Sequence, residues 1–200
     1  MLKKLVGATM LPIVVALSFL VTRGAPIPRD TRQPVLFFPT HVGATWAYEC
    51  DGIEFTRQVT SVDNQRQVKI VTVSDIGPLG QATRCDIVEV SESGLVLLFQ
   101  DGKFLGPPLQ WLKVSPQFAD TWNCDIAQMG EIPIGGIATA KGIEAVELPS
   151  ITFKAIRVDR SYTSGCDGNS IQTWFSLGIG VVKEKCGVHT TVLKSFASPK

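Results

Sequence analysis

Residues 45–62 read TWAYECDGIEFTRQVTSV, and this stretch decides the fold class of the chain. Apolar and polar side chains alternate on both sides of Asp51-Gly52, and a period of two is typical of β-strands. Asp-Gly favours a two-residue turn, because both central positions of that turn need a positive φ angle. The stretch therefore predicts a β-hairpin.

The same signals recur along the rest of the chain. We expect further turns at Asp63-Asn64, Ser93-Gly94 and Asp101-Gly102, and the sequence LGPP at residues 105–108 predicts a break between strands. Beyond the N-terminal apolar segment, no stretch keeps apolar side chains at helical spacing over about eleven positions. The pattern predicts an all-β domain over residues 37–198, an antiparallel meander of about ten strands.

The size of this sheet limits its shape, because about ten strands do not stay flat. We expect the sheet to curl into a half-barrel or barrel-like sheet, and the alternative is a sandwich of two packed sheets. The run LVLLFQ, residues 95–100, places apolar side chains on both faces of a strand, which is more than a half-solvated sheet needs. The concave face is therefore expected to be apolar.

The N-terminal segment differs in composition from the rest of the chain and predicts export. Two lysines precede an uncharged apolar run at residues 5–21, and Thr22 and Gly24 place small residues before a cleavage site. We expect residues 1–24 to be a signal peptide and residues 25–36 to be an extended lead-in, with the mature protein periplasmic or extracellular. An uncleaved membrane anchor is the alternative, although the run is short and contains a proline.

Charge and composition exclude several classes of partner. The chain has 200 residues, of which 18% are charged, and a formal net charge of +1 without a basic block that could follow a phosphate backbone. Nucleic acid is therefore not expected as a partner. Cleavage after Gly24 removes three cationic residues and no acidic one, so we expect a nearly neutral chain without strong membrane association.

The sequence LGIG at residues 177–180 is an unusual hairpin tip, because turns normally carry Asn, Asp or Gly. In the hairpin that we predict, Trp174 lies opposite Lys183, whose aliphatic stem then crosses the ring. The favoured interpretation is that Leu177 and Ile179 pack as scaffold. If they are exposed instead, they form an apolar contact for a partner or a lipid.

The register of this hairpin also predicts a disulfide. When Leu177 faces Gly180, Ile171 lies opposite Cys186, and Cys166 is only five residues before Ile171. A returning loop covers that distance and meets the Cα spacing that a disulfide requires. We therefore predict a bond between Cys166 and Cys186.

The chain contains five cysteines, none of them in a Cys-x-x-Cys pair, which argues against a zinc ribbon or a thioredoxin-type redox site. Disulfides are the expectation for cysteines in an exported protein. Besides the bond above, we expect Cys50 to form a pair, with either Cys85 or Cys124 as its partner. One cysteine then remains free or pairs between molecules.

Two stretches share a pattern: FFPTHVGATWAYEC at residues 37–50 and VSPQFADTWNC at residues 114–124. Both have an apolar lead, a proline, the dipeptide Thr-Trp and a cysteine. One interpretation is a pair of equivalent ligand platforms. The favoured interpretation is that each tryptophan starts a new β-segment and anchors the core, because its large apolar area is most often buried.

Side chains that could carry catalysis are sparse. No Gly-x-Ser-x-Gly elbow is present, and the two histidines, His41 and His189, are expected at the surface or at strand ends. Glu144 and Glu147 are at odd spacing and face opposite sides of a strand, unlike a glycosidase pair. Residues 166–170 lack the alternating acidic ligands of a calcium loop. We therefore expect no enzymatic activity, no metal and no cofactor.

Three stretches carry a resemblance to a known family: FPTHVGATWAYE (residues 38–49), LPSITFKAIRV (148–158) and TWFSLGIGVVKE (173–184). They resemble an uncharacterised family of exported bacterial β-proteins, which is similar to the antiparallel half-barrel of periplasmic lipoprotein carriers. The resemblance implies an exported half-barrel. It implies no catalytic residues, because the family has none to transfer.

These observations lead to two functional hypotheses. The first is an exported, non-enzymatic β-domain that binds or carries a lipid-like ligand in the apolar groove of its curved sheet. The second is a structural or interaction protein of the cell envelope or extracellular space, with a filled core and an envelope protein as its partner. A cavity lined by Trp, Phe and Leu favours the first, and a packed interior with exposed apolar side chains favours the second.

Overall fold

The computed structural model of the protein describes residues 36–114, 119–127, 134–148, 151–163 and 170–199. Within these ranges the regular structure consists of twelve strands, and no helix occurs. The strands are β1 (Thr45–Cys50), β2 (Ile53–Gln65), β3 (Val68–Ile76), β4 (Ala82–Ser91), β5 (Gly94–Gln100), β6 (Lys103–Lys113), β7 (Thr121–Asn123), β8 (Gly136–Leu148), β9 (Ile151–Tyr162), β10 (Ser170–Ser176), β11 (Gly180–Cys186) and β12 (His189–Ala197). The expected all-β class is confirmed, with two strands more than we estimated.

All twelve strands belong to one antiparallel sheet with the order β6-β5-β4-β3-β2-β1-β12-β11-β10-β9-β8-β7. Strands that follow each other in the chain are neighbours in the sheet, except that β1 pairs with β12 and so joins a first half, β1–β6, to a second half, β7–β12. The meander is therefore confirmed. The described strands form a single sheet rather than the two sheets of the alternative sandwich.

The sheet curves until its two edge strands, β6 and β7, come close to each other. Gly106 N donates to Ala127 O at 3.1 Å, and the indole Nε1 of Trp122 donates to Gln110 O at 2.8 Å. These contacts across the seam are backbone to backbone in one case and side chain to backbone in the other. The result is a nearly closed barrel, which settles the choice between half-barrel and barrel in favour of the barrel.

The Asp-Gly turns form as the sequence predicts. Asp51 and Gly52 have φ angles of 49° and 83°, and Asp101 and Gly102 have 52° and 85°. These left-handed values at both central positions belong to the two-residue turn that matches the twist of a hairpin. The local sequence therefore determines the ends of β1, β2, β5 and β6 at these turns.

Two of the predicted breaks are wrong. Asp63 and Asn64 lie within β2, because they pair with Ile70 and Lys69 of β3, and the turn follows at residues 66–67. The LGPP sequence lies within β6, where the pairing with β5 shifts between Leu97 and Phe99 instead of ending. Cross-strand pairing extended these strands beyond what the local turn signals indicate.

The two ends of the barrel carry different features. The turns β1–β2, β3–β4, β5–β6 and β11–β12 lie at one end, which we call the Asp-Gly end. The turns β2–β3, β4–β5 and β10–β11 lie at the opposite end. Leu36, whose carbonyl accepts from Gly178 N at 2.8 Å, and Pro199, which lies beside Gly43, are also at this opposite end, which we call the terminal end.

The concave face of the sheet is apolar, as expected, and its side chains are packed against each other in one cluster. The largest of them have less than 2% of their surface exposed, so they border no space that a water molecule could enter. They include Trp46, Phe175, Leu95, Leu109, Leu112 and Leu193. The core of the barrel is therefore filled where the structure describes it.

The shared Thr-Trp pattern also has a structural explanation. Trp46 lies on β1 and Trp122 on β7, which are the first strands of the two halves, and both side chains are buried in the core. Each indole Nε1 donates to a carbonyl of the other half, Trp46 to Ile179 O at 2.7 Å and Trp122 to Gln110 O. The tryptophans anchor the core, as the favoured interpretation predicted.

Gly94 offers a sharp test of the packing between β5 and β6. Its φ is +140°, and a Cβ atom there would lie 1.9 Å from Leu112 O, a backbone atom that cannot move aside alone. We expect Gly94→Ala to lower the free energy of unfolding by about 3 kcal/mol or more, measured by urea denaturation.

Gly102→Ala is the matched control, because Gly102 has a φ of +85° but no atom within 4 Å of the added Cβ. We expect that variant to lose about 1 kcal/mol from backbone strain alone. Equal losses in the two variants would contradict the close approach of β5 and β6.

Candidate functional site

The Asp-Gly end of the barrel is the candidate functional site, because charged side chains meet there on the sheet. Arg57 of β2 lies between two acidic residues on the next strands. Its Nε donates to Asp75 Oδ1 at 3.0 Å, and a terminal nitrogen donates to Asp86 Oδ2. Burial lowers the pKa of Arg57, but the carboxylates of Asp86 and Asp75 outweigh burial and raise it above the ordinary value. Arg57 therefore stays charged and joins β2, β3 and β4.

A second charged group lies on β9, β10 and β11. The guanidinium of Arg160 donates to Thr173 Oγ1 at 2.7 Å and to Glu184 Oε2 at 3.2 Å, and the Thr173 hydroxyl donates to the same carboxylate at 2.9 Å. Arg160 is 5% exposed, whereas Glu184 is 35% exposed. A nearly buried cation is thus neutralised by a carboxylate that water still reaches.

Tyr48 of β1 lies between these two groups. Burial raises the pKa of its hydroxyl well above the usual range, the positive charge of Arg57 opposes that rise, and the negative charge of Glu184 adds to it. Tyr48 Oη donates to Val181 O at 2.7 Å. The tyrosine is therefore a neutral hydrogen-bond donor that ties β1 to β11.

The position of Val181 follows from the way the sheet divides beside β12. The register between β11 and β12 runs only from Lys183 to Cys186, while β12 pairs with β1 along the whole length of β1. The start of β11 therefore separates from β12. The side chains of Trp46 and Tyr48 reach across this separation to the carbonyls of Ile179 and Val181.

A second buried tyrosine in the same region is placed differently. Tyr162 Oη is buried and makes no hydrogen bond of full geometry to the described residues, and the same holds for Arg160 Nε. Burial raises the pKa of Tyr162 to about 12, and the neighbouring side chains of Arg160 and Cys124 lie close enough to act on it as well. The two tyrosines therefore differ in whether the hydroxyl makes a well-formed hydrogen bond.

This difference gives a prediction for a matched pair of substitutions. We expect Tyr48→Phe to lower the free energy of unfolding by about 1–3 kcal/mol, because the buried carbonyl of Val181 loses its donor. Urea denaturation followed by tryptophan fluorescence measures the change.

Tyr162→Phe serves as the control, since it removes a buried hydroxyl that makes no well-formed hydrogen bond. We expect that substitution to leave stability unchanged or slightly raised. A loss in Tyr162→Phe as large as that in Tyr48→Phe would mean that the Tyr48–Val181 bond does not hold β1 against β11.

The turns of the Asp-Gly end carry exposed apolar side chains. We call these four residues the apolar rim: Ile53 (72% exposed), Leu79 (92%), Phe104 (57%) and Val188 (88%). Each lies in a turn or within two residues of it, on four different hairpins. Turns normally carry polar residues or glycine, so four large apolar residues at one end are unusual.

Exposed side-chain pairs link neighbouring hairpins of this end. His189 Nδ1 and Asp51 Oδ2 form a hydrogen-bonded pair between the turns β11–β12 and β1–β2. Arg84 of β4 pairs with Asp101 in the turn β5–β6. The hydrogen bond from His189 lowers the pKa of Asp51 below its ordinary value. These pairs thus connect the turn β11–β12 to the turn β1–β2, and β4 to the turn β5–β6.

The predicted apolar contact lies at the terminal end, away from the rim. Leu177 is half exposed, whereas Ile179 packs against the core and its carbonyl accepts from Trp46. The structure thus does not bring Leu177 and Ile179 together with the other exposed apolar turn residues. For Ile53 the sequence signal was an apolar residue directly after an Asp-Gly turn, in DGI at residues 51–53.

The predicted register of the β10–β11 hairpin is partly right. Ile171 pairs with Cys186, and Trp174 pairs with Lys183, whose Nζ lies 4.9 Å from the centre of the ring. A bulge after Trp174 shifts the rest of the register, so Gly180 lies opposite Ser176 instead of Leu177. The bulge is the physical reason for the difference, because it adds one residue to one strand.

Cys166 lies outside the described residues, so its bond to Cys186 stays a prediction. Cys50, Cys85 and Cys124 are free thiols, and the expected pair with Cys50 is therefore wrong. In the sheet, β2 and β3 separate the strand of Cys50 from that of Cys85, which places these strands about 14 Å apart. A disulfide does not span that distance.

The free thiols predict a pattern of alkylation. Cys124 is buried, and burial raises the pKa of its thiol, so we expect slow reaction with iodoacetamide near pH 8. Cys50 and Cys85 are half-buried, and we expect them to react first. Peptide mapping by mass spectrometry without reductant measures each site.

The same map tests the predicted disulfide. Cys166 and Cys186 should stay unmodified until a reductant is added, and their peptides should be linked. Alkylation of both residues in the native protein, or a link between Cys166 and Cys124, would show that the proposed bond does not form.

The described residues lack a metal site and a membrane-spanning helix. Among the described residues, no group of three or more His, Cys, Asp and Glu side chains is arranged to hold a metal ion. Nor does this part of the chain contain a helix long and apolar enough to cross a bilayer. His189 and Asp51, the imidazole and carboxylate pair, are both exposed at the hairpin tips.

Comparison with known proteins identifies the fold. No family model matches the chain, and no curated protein matches it either. A crystal structure from Bacteroides fragilis NCTC 9343, of a protein inferred to be exported and to have a YmcC-like fold, matches with a TM-score of 0.54 and 13% identity. The match covers 82% of this chain and 100% of that one. The barrel is therefore similar to the YmcC-like fold.

A second crystal structure, of a protein from Parabacteroides distasonis ATCC 8503 inferred to be a lipoprotein, matches with a TM-score of 0.44 and 15% identity. That match covers 83% of this chain and 100% of the other.

Proposed function

We propose that this chain is an exported, non-enzymatic β-barrel domain that works through its surface, as an interaction protein of the cell envelope. The filled core carries this proposal. Leu95, Leu112 and Phe175 lie on the concave face with 0% exposure, so no open groove borders these side chains. Of our two hypotheses, the filled interior with exposed apolar turns favours the interaction protein over the lipid carrier.

Export rests on two kinds of support. The first is the sequence pattern of residues 1–24, which lie outside the described ranges but have the layout of a signal peptide. The second is the likeness in fold to the Bacteroides fragilis protein, which is itself inferred to be exported. Periplasmic and extracellular locations both agree with this support.

The absence of catalysis is proposed from the arrangement of the charged groups. Arg57 is occupied by Asp75 and Asp86, and Arg160 by Thr173 and Glu184, so these cations are neutralised by their own neighbours. An activated nucleophile needs a base within hydrogen-bond reach and a site that excludes water. The exposed imidazole of His189 is a poor base for this purpose, since water surrounds it.

Native mass spectrometry of protein released from its own envelope tests the proposal. We expect a chain that begins at Ala25, with no bound small molecule, because the part of the core that the structure describes is packed. A native mass above that of the chain, which organic extraction lowers to the mass of the chain alone, would reveal a carried ligand and favour the carrier hypothesis. Recovery of the chain with Met1 in the membrane fraction would replace the signal peptide by an anchor.

A further inference from the structure

We propose that the apolar rim at the Asp-Gly end docks on a zwitterionic phospholipid surface, with its four side chains inserted at the boundary of headgroups and acyl chains. This inference rests on the proposed function, since it names the partner of the interaction surface. It adds a contact that the near-neutral charge of the chain did not suggest.

The four rim residues are neighbours around the barrel. The sheet order places the turns β5–β6, β3–β4, β1–β2 and β11–β12 one after another along the same end. Phe104, Leu79, Ile53 and Val188 follow in that order. They therefore form an arc over four neighbouring hairpins at the Asp-Gly end.

The described turns at the opposite end carry mostly polar residues. The turn β2–β3 carries Arg66 and Gln67, and the turn β4–β5 carries Glu92 and Ser93. Three apolar side chains at this end, Val42, Ile151 and Leu177, are 50–57% exposed, and of these only Leu177 lies in a hairpin turn that the structure describes. Three of the four rim residues are more than 70% exposed, so the most exposed apolar side chains of the hairpin turns lie at the Asp-Gly end and indicate a contact there.

The form of the rim favours lipid over protein. Its apolar side chains are on separate hairpins with polar residues such as Asp51 and Asp101 between them, so they do not make one continuous patch. A protein partner would need a pocket at the spacing of each side chain. The boundary between headgroups and acyl chains accepts isolated apolar side chains at any spacing, while the polar neighbours remain among the headgroups.

The charges beside the rim match a surface without net charge. Arg84 is paired with Asp101, and Asp51 is hydrogen-bonded to His189, whose ring carries a charge only when it is protonated. The hairpin tips thus carry both signs of charge and no cluster of cations that would attract an anionic membrane. A zwitterionic headgroup layer, which carries both signs in equal number, is the complementary surface.

The rim is also accessible. Two of its turns are tight Asp-Gly turns with both central residues in the left-handed region, and exposed side-chain pairs link neighbouring hairpins. Leu36 and Pro199 lie at the terminal end, so the chain enters and leaves the described barrel away from the rim.

Flotation with phosphatidylcholine vesicles tests this inference on the full exported chain. We expect the wild-type protein to float with the vesicles, at a level that does not fall when the salt concentration is raised. Leu79→Ser and Val188→Ser should each lower the partition coefficient between vesicle and water about tenfold, because each removes one inserted apolar side chain. Both residues are highly exposed, so the urea midpoint of the variants should equal that of the wild type.

Leu177→Ser is the matched control, since it removes an exposed leucine from a turn at the terminal end. We expect that variant to float like the wild type. Equal weakening by Leu177→Ser and Leu79→Ser would overturn the assignment to the rim.

Two other results would also overturn the inference. The first is wild-type protein that does not float with phosphatidylcholine. The second is self-association in analytical ultracentrifugation that Leu79→Ser abolishes, which would make the rim a contact between copies of this chain. Neither result touches the proposed function, which fails instead if native mass spectrometry finds a carried ligand.

Discussion

Backbone hydrogen bonds between β1 and β12 join the two six-stranded halves of the meander into one sheet, and the closed form depends on them. Each half contributes a tryptophan on its first strand, and each tryptophan donates to a carbonyl of the other half. One bond lies beside the β1–β12 junction, and the other lies across the seam between β6 and β7. The two halves are thus connected on both sides of the barrel, and the apolar side chains between them are shut off from water.

The cost of burying charge determines where charged side chains lie along the axis of the barrel. Toward the terminal end the inner face is apolar and filled, whereas toward the Asp-Gly end Arg57 and Arg160 are present with their acidic partners. A buried cation needs a carboxylate and further hydrogen bonds to offset its lost hydration. Glu184 remains one-third exposed, which reduces that cost at the open end. The charges therefore lie where the hairpin turns admit water and where the apolar core has ended.

Local sequence signals predicted the fold class, the Asp-Gly turns and the Trp174–Lys183 pair, because each depends on residues close together in the chain. The β1–β12 pairing joins Thr45 to Ala197, and no local pattern specifies a contact at that separation. The partner of Tyr48 Oη depends on that pairing and was therefore not predictable. The alternation places Ile53 on the same face as Tyr48, but only the structure shows that no neighbouring strand covers it at the tip.

The seam between β6 and β7 has a consequence for the behaviour of the protein at high concentration. An open strand edge is a template on which another copy can add a strand, and chains of such additions grow into fibrils. β6 contains Pro107 and Pro108, which have no N–H to offer, and side-chain amide and indole groups donate to the carbonyls of Gln110 and Leu112. The edge of β6 therefore offers few unpaired N–H and C=O groups to a strand of another copy, and this disfavours polymerisation through the seam.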